Sequence, residues 1–308
     1  MATKKSPSTH RNKQATRIDA FPSAVAAIAP LIADIQRFSL DNGPGIRSTV
    51  FFKGCGLRCA WCHNPQLQDR RPQIVFFADR CIDCRLCVNA CRDGVENAAS
   101  IDTCDHCGRC ADACPTGALR IIGTPMSPEQ LASRLLDDLP FYAASGGGVT
   151  FSGGEPALFS AFCAQTARIL KSHSVHLAMQ TAGMFPWDEF STTILPLLDH
   201  IYFDLKTITD ADHTGLSDKE HRQIMNNFRR LASGQIPITA TMVLVPNFND
   251  DPETISAMRD FFCQGSVTRF ETKPFNSGSM SRHWADLKAP LRRDPTKNAL
   301  QQQRTTIA

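Results

Sequence analysis

Three cysteines, Cys55, Cys59 and Cys62, stand at x3 and x2 spacing directly after the apolar run Ser48-Thr49-Val50-Phe51-Phe52. A strand that delivers three thiolates into a tight loop suits an iron–sulfur cube, whose usual protein ligand set is four cysteines. With only three, one iron keeps a position open. A storage or electron-transfer centre has little use for that position, whereas a centre that must bind a reactant needs it. The alternative is a zinc site with His63 as fourth ligand. Cysteine-rich zinc motifs, however, more often come as paired C-x2–4-C halves.

Eight more cysteines form two copies of one pattern, Cys81, Cys84, Cys87, Cys91 and Cys104, Cys107, Cys110, Cys114, offset by 23 residues. This is the bacterial ferredoxin run, in which the fourth cysteine of each copy ligates the other cluster. A pair of four-cysteine zinc knots competes with it, but x2, x2, x3 is not the usual zinc spacing. The second copy is followed by Pro115 and the first by Arg92, which leaves the ligands intact. His106, between ligands, reads as solvent-facing. Eleven of the 13 cysteines thus fall in three tight clusters. Such clustering indicates metal ligation in a reducing compartment rather than disulfides, so a cytoplasmic location is expected. The other two, Cys163 and Cys263, lie on helix patterns and read as buried small hydrophobes.

The 308 residues can hold one large domain and a small insert, and 42% hydrophobic with 20% charged residues is an ordinary globular composition. A net charge of +3 is too small to argue for nucleic acid. No run approaches the ~20 apolar residues of a membrane span, so no membrane partner is expected. Residues 1–31 begin with Lys4, Lys5, Arg11, Lys13 and Arg17 and turn apolar after Ala24, imitating a secretory signal. Cleavage there would cut into the first strand pattern, so the segment is read as a disordered basic arm.

The ligands need elements to carry them. Strand patterns fall at 32–38, 49–53, 148–152, 176–180, 201–205, 236–245 and 269–275, and residues 41–45 are turn chemistry. Residues 65–77 read as a connector. Helix patterns fall at 157–171, 187–198, 219–233 and 252–263. Another helix opens at Ser127-Pro128-Glu129, with an apolar face of Leu131, Leu135, Leu136 and Leu139. Repeated βα units predict a parallel sheet with helices outside. Counting the strand before Cys55 gives six such strands, fewer than the eight of a closed barrel. The expected architecture is α/β, a partial (β/α)6 barrel made of 32–79 and 123–276. A ferredoxin-like insert occupies 80–122, and a polar tail follows at 277–308.

Working groups of parallel barrels sit at the C-terminal ends of strands. Gly153, Gly154 and Glu155 end one strand, and paired glycines let backbone approach a ligand closely. A plain Gly-Gly turn is the bland alternative. Thr181 ends the next strand. Asp204 and Lys206 end the one after, at alternate positions that share a face; a surface ion pair is the alternative there.

Cys55-x3-Cys59-x2-Cys62, with Trp61 before the last cysteine, resembles the radical S-adenosylmethionine (SAM) superfamily motif. Asp34-Ile-Gln-Arg-Phe-Ser-Leu-Asp-Asn-Gly-Pro-Gly-Ile-Arg47 and Cys62-His63-Asn64-Pro65 narrow the resemblance to the glycyl-radical-enzyme activating enzymes. The likeness runs from about Ile32 to Asn276. It implies the same partial barrel and a [4Fe-4S] cluster on Cys55, Cys59 and Cys62 whose open iron chelates SAM through its amino nitrogen and carboxylate. Reductive cleavage would give methionine and a 5′-deoxyadenosyl radical, which takes a hydrogen atom from a glycine Cα in a partner glycyl radical enzyme. The resemblance further implies that Gly153, Gly154 and Glu155 receive the SAM amino group and that Thr181, Asp204 and Lys206 belong to the site. Trp61 would shield the cluster.

With the insert, three [4Fe-4S] clusters are expected, the extra pair passing electrons inward from a flavodoxin or ferredoxin-type donor. A monomer is expected. Three positions depart from the family's pattern. Gln180 replaces an acid, which weakens any monovalent-cation site; Thr241 replaces an Arg that is a candidate partner of the SAM carboxylate; Asn276 replaces a His. Two other readings remain open: a radical SAM maturase of another peptide, and a multi-cluster electron carrier. The carrier would need a fourth ligand beside Cys55, Cys59 and Cys62 and would gain nothing from Gly153-Gly154-Glu155.

Overall fold

The computed structural model describes residues 29–91, 107–206, 217–246, 248–263, 265–275 and 304–306. The basic arm up to residue 28, Arg92, Cys104, His106, Asn276 and most of the tail lie outside the described residues. The chain opens with β1 (Leu31–Ser39), which pairs antiparallel with β2 (Arg47–Phe52). Next come β3 (Gln73–Phe76), α1 (Leu86–Ala90), α2 (Arg109–Asp112) and β4 (Leu119–Ile122). The short β5 (Thr124–Pro125) returns to pair with β1. Thereafter come α3 (Pro128–Leu136), α4 (Leu139–Ser145), β6 (Gly148–Gly153), α5 (Ser160–Ser172), β7 (His176–Thr181), α6 (Trp187–Thr193) and β8 (His200–Asp204). The chain continues through α7 (Asp218–Ala232), β9 (Ile238–Leu244), α8 (Pro252–Phe262), β10 (Val267–Pro274) and β11 (Arg304–Thr306).

The six expected parallel strands are present as β2, β6, β7, β8, β9 and β10, each hydrogen-bonded in parallel to the next. β1 and β5 extend one edge antiparallel and β11 the other, giving one nine-stranded sheet. Side chains of a strand alternate between faces. On one face Val50, Phe52, Val149, Phe151, Leu177, Met179, Ile201, Phe203, Ala240 and Met242 are all at most 1% exposed. They share a core with the apolar sides of the helices, among them Leu131, Leu135, Cys163, Ala167, Leu170, Phe228 and Phe262. On the other face Phe51, Ser152, Gln180, Tyr202 and Thr241 line a cavity. Among the described residues no helix is long and apolar enough to cross a membrane.

Three local expectations need correction. The connector at 65–77 contains β3, which pairs antiparallel with β4 and so joins the chain before and after the two cysteine runs. Leu139 does not continue the helix opened at Ser127 but starts α4. Pro140, in the first turn of α4, cannot donate to the carbonyl of Leu136 and would clash with it. Cys263 is exposed, because it caps α8 rather than sitting on its buried face, whereas Cys163 is buried as expected.

The N-terminal openings are well specified. Ser127 accepts the Gln130 N–H at 3.2 Å while the Gln130 side chain accepts the Ser127 N–H at 2.9 Å, a reciprocal box that starts α3. Ser217 and Glu220 do the same for α7. The floor of the sheet is closed by Arg47, fully buried, which donates to Thr150 Oγ1 at 2.8 Å and to the carbonyls of Val149 (2.6 Å) and Pro44 (3.2 Å). Burial pulls its guanidinium down to about 10.

Phe228 binds α7 to the sheet and to α8, its ring lying 5.0 Å from Phe203, 4.8 Å from Phe261 and 5.1 Å from Phe262. Phe228→Ala is expected to cost about 3–5 kcal/mol in denaturant unfolding. A midpoint close to that of the unchanged protein would contradict this packing.

Candidate active site

β2 stops at Phe52, and Lys53 and Gly54 lead into the cysteine loop. Lys53 is fully buried. Its ammonium donates to Gln73 Oε1 at 3.0 Å and to the Gln66 carbonyl, and burial pushes it down to about 8. The Gly54 N–H donates to the Leu67 carbonyl at 2.7 Å and the Cys55 N–H to that of Gln68 at 3.1 Å. The turn around Pro65–Leu67 therefore braces the loop from below. The loop then crosses the sheet: the Trp61 ring lies 4.7 Å from Phe248, beyond β9, and the His63 ring 5.8 Å from Phe275, beyond β10. A segment launched from one end of the parallel set thus reaches the other.

All three thiols line the cavity beneath this loop, a space of about 300 Å³. Burial pushes the Cys55 thiol up to about 12, with Glu155 adding to it. Burial also raises Cys59 to about 11, against the pull of the Lys206 ammonium. Thiols held this way are poor nucleophiles at neutral pH, and ligation would require a metal to displace their protons. Among the described residues no three His, Cys, Asp or Glu side chains converge on one point as a single-ion site requires. The three thiols instead border a cavity, and an all-sulfur donor set of this kind fits an iron–sulfur cluster.

Asp204 and Lys206 both line the cavity and form an ion pair. Burial works against the Lys206 charge, but Asp204 and Cys59 outweigh it and hold the ammonium above its ordinary range. With side chains 31% and 22% exposed, the pair is partly buried at the cavity wall. Trp61 is 4% exposed and also lines the cavity.

The paired glycines do allow a close approach, and the backbone approached is the chain's own. Gly153 has φ +108°, and a Cβ there would lie 2.3 Å from Phe52 N; a Cβ on Gly154 would lie 2.2 Å from the Gly54 carbonyl oxygen. The Gly154 N–H reaches the Phe52 carbonyl at 2.9 Å and the Glu155 N–H that of Gly54 at 2.8 Å. Both glycines also border the cavity. Glu155 does not border it. Fully buried, it accepts hydrogen bonds from Thr181 Oγ1 (2.7 Å), the Ala182 N–H (2.9 Å) and the Ala157 N–H (3.3 Å). Burial pushes its carboxyl up to about 7 despite these donors. Thr181 borders the cavity with its hydroxyl committed to Glu155.

Among the lining residues that the sequence did not single out are Asn42, Tyr202 and Lys273. Asn42 lies in the turn at 41–45, and its side chain accepts from Gln180 Nε2 and donates to Thr49 Oγ1, both at 3.0 Å. Gln180 in turn accepts from Ser152, so a neutral network occupies the cavity floor. Of the eight cysteines in the two ferredoxin-like runs, seven are described, none of them in a disulfide, with Cys87 on α1 and Cys110 on α2. The Asp83 N–H points at Cys81 Sγ at 3.4 Å. Backbone donors around Leu119 pull the Cys114 thiol down to about 7.

Residues 41–214 match the family described as 4Fe-4S single cluster domain. The chain is 33% identical over 272 residues to the isethionate sulfite-lyase activating enzyme of Nitratidesulfovibrio vulgaris, covering 84% of this chain and 88% of that protein. It is 38% identical over 244 residues to the benzylsuccinate synthase activating enzyme of Thauera aromatica, covering 75% and 73%. Identity to the choline trimethylamine-lyase activating enzyme of Oleidesulfovibrio alaskensis is 31% over 241 residues, covering 75% and 77%. A parallel α/β sheet with three thiols over its strand ends is the arrangement of a radical SAM enzyme. Within that class, the chain belongs to the glycyl-radical-enzyme activating enzymes. A [4Fe-4S] cluster and SAM are accordingly its cofactors, and the electron-carrier reading is set aside.

Glu155 gives a test of how the strand ends are fastened. Its folded-state value lies above the ordinary 4.5, so the folded chain binds the proton more readily than the unfolded one. Its contribution to stability is therefore present at low pH and declines as pH rises from about 4.5 to about 7, by up to ~1.4 kcal/mol per unit. In Glu155→Gln that decline should vanish from urea midpoints measured across this window. An unchanged slope would contradict the buried carboxyl.

Proposed function

We propose that this chain installs a glycyl radical on a partner enzyme from the cavity beneath the cysteine loop. Cys55, Cys59 and Cys62 hold the cluster, leaving one iron for SAM. When bound, the reduced cluster would supply one electron to the SAM sulfonium, so that methionine leaves and the 5′-deoxyadenosyl fragment can take a hydrogen atom from a glycine Cα. The protein binds, orients and shields. Gly153 and Gly154 present backbone to the SAM amino end, and Glu155 fixes that backbone in place by tying it to Thr181 and Ala182. Asp204 and Lys206 lie close to the cluster thiols and border the SAM site. Trp61, against Phe248, keeps water from the cluster.

The observation that carries this reading is that all three thiols, both glycines and the Asp204–Lys206 pair border one cavity at the C-terminal ends of the parallel strands. Relatives named for isethionate, benzylsuccinate and choline enzymes support a glycyl radical enzyme as the partner. The insert adds two further [4Fe-4S] clusters, on Cys81, Cys84, Cys87, Cys91, Cys104, Cys107, Cys110 and Cys114. These receive electrons from a flavodoxin or ferredoxin-type protein. The chain acts as a monomer in the reducing cytoplasm.

Anaerobic incubation of the reconstituted, reduced protein with SAM and candidate glycyl radical enzymes should give a glycine-centred EPR signal, which Cys62→Ala abolishes. Methionine release without a glycyl signal in any candidate would redirect the activity to another peptide. Cys84→Ala should slow methionine release driven by a protein donor while sparing release driven by dithionite. Equal rates with the protein donor would remove the relay role of the insert.

A further inference from the structure

Among the described residues, three Asp, Glu, Lys or Arg side chains border the cavity: Asp204, Lys206 and Lys273. Asp204 and Lys206 are paired and neutralise each other. Lys273 has no acidic partner among the described residues; Glu271, two residues earlier on β10, is engaged by Arg269 at 3.0 Å. Among the described residues the cavity therefore carries one uncompensated ammonium. It is half-buried, where a lone charge is costly unless an anion meets it.

The strand places this ammonium near the cluster loop. Lys273 pairs in register with Val243, which also borders the cavity. Residues two apart on a strand share a face and lie about 7 Å apart. Phe275, two beyond Lys273, has its ring 5.8 Å from that of His63, the residue after Cys62. Lys273 thus stands one pleat below the loop that carries the third thiol. Thr241, on neighbouring β9, brings only a hydroxyl to the same cavity.

SAM has one anionic group, its carboxylate, beside a sulfonium and an amine. Of the charged groups of SAM, the sulfonium repels an ammonium and only the carboxylate attracts it. We infer that Lys273 binds the SAM carboxylate and so sets the preference of the cavity for the intact amino acid end. This inference rests on the reading that the cavity is the SAM site. Lys273 is a binding residue here, and the Asp204–Lys206 pair is left as the internal charge balance beneath the thiols.

The test is equilibrium titration of the reconstituted, unreduced holoenzyme with SAM and with decarboxylated SAM, which keeps the sulfonium and lacks the carboxylate. Lys273→Met should weaken SAM binding by about tenfold or more, the loss expected for a charge-assisted hydrogen bond. Binding of decarboxylated SAM should be unchanged, and Lys273→Arg should keep most of the SAM affinity. Equal weakening of both ligands, or no weakening of SAM, overturns the assignment. So does an unchanged protein that binds the two ligands equally, a result that needs no variant. An unchanged protein that binds neither ligand overturns the SAM site itself, and is distinguished by that.

Discussion

Glu155 receives three hydrogen bonds in a fully buried position, while its own N–H donates to the carbonyl of Gly54. Through those bonds the end of β6 is fastened on one side to the end of β7 and on the other to the residue that launches the cysteine loop. Gly153 and Gly154 make this possible, because any side chain there would strike the backbone of Phe52 or Gly54. The position of Cys55 is thus set by strand ends, not by the loop's own flexibility. A site that must hold reacting groups in fixed geometry gains from being built on rigid elements in this way.

The cavity combines two electrostatic demands. Burial raises the Cys55 and Cys59 thiols, so a metal has to displace their protons. Its carboxylate and one of its ammonium groups are bound to each other, so that the charges nearest the thiols cancel. The floor is neutral, with Asn42, Gln180 and Ser152 satisfying one another. Such a floor offers no carboxylate to a cation. The aromatic contacts of Trp61 and His63 close the loop over the far strands, so the same residues that sit among the ligands also roof the cavity.

Much of this was legible in the residues. The six parallel strands each carry an apolar run with one buried face, and the alternation of strand and helix dictates parallel pairing. The three-cysteine loop and the Asp204–Lys206 pair declare themselves by spacing. The clasp of β3 and β4 did not, because two four-residue strands show no period and their partners are more than forty residues apart in the chain. Glu155 read as a ligand contact because its partners on β7 come beside it only through strand pairing. Lys273 was hidden for a similar reason: a lysine near the end of a strand gains meaning only when register and face are known. Cys263 misled because one residue past a helix end the buried face no longer applies.

The account rests on a cluster held by Cys55, Cys59 and Cys62 with one iron left for SAM. Electron–nuclear double resonance of the reduced protein with SAM labelled by ¹⁵N at its amino group tests this most directly. The account predicts a hyperfine coupling between that nitrogen and the cluster, lost in the unlabelled control. A cluster spectrum indifferent to SAM, with no coupling to the label, would contradict it.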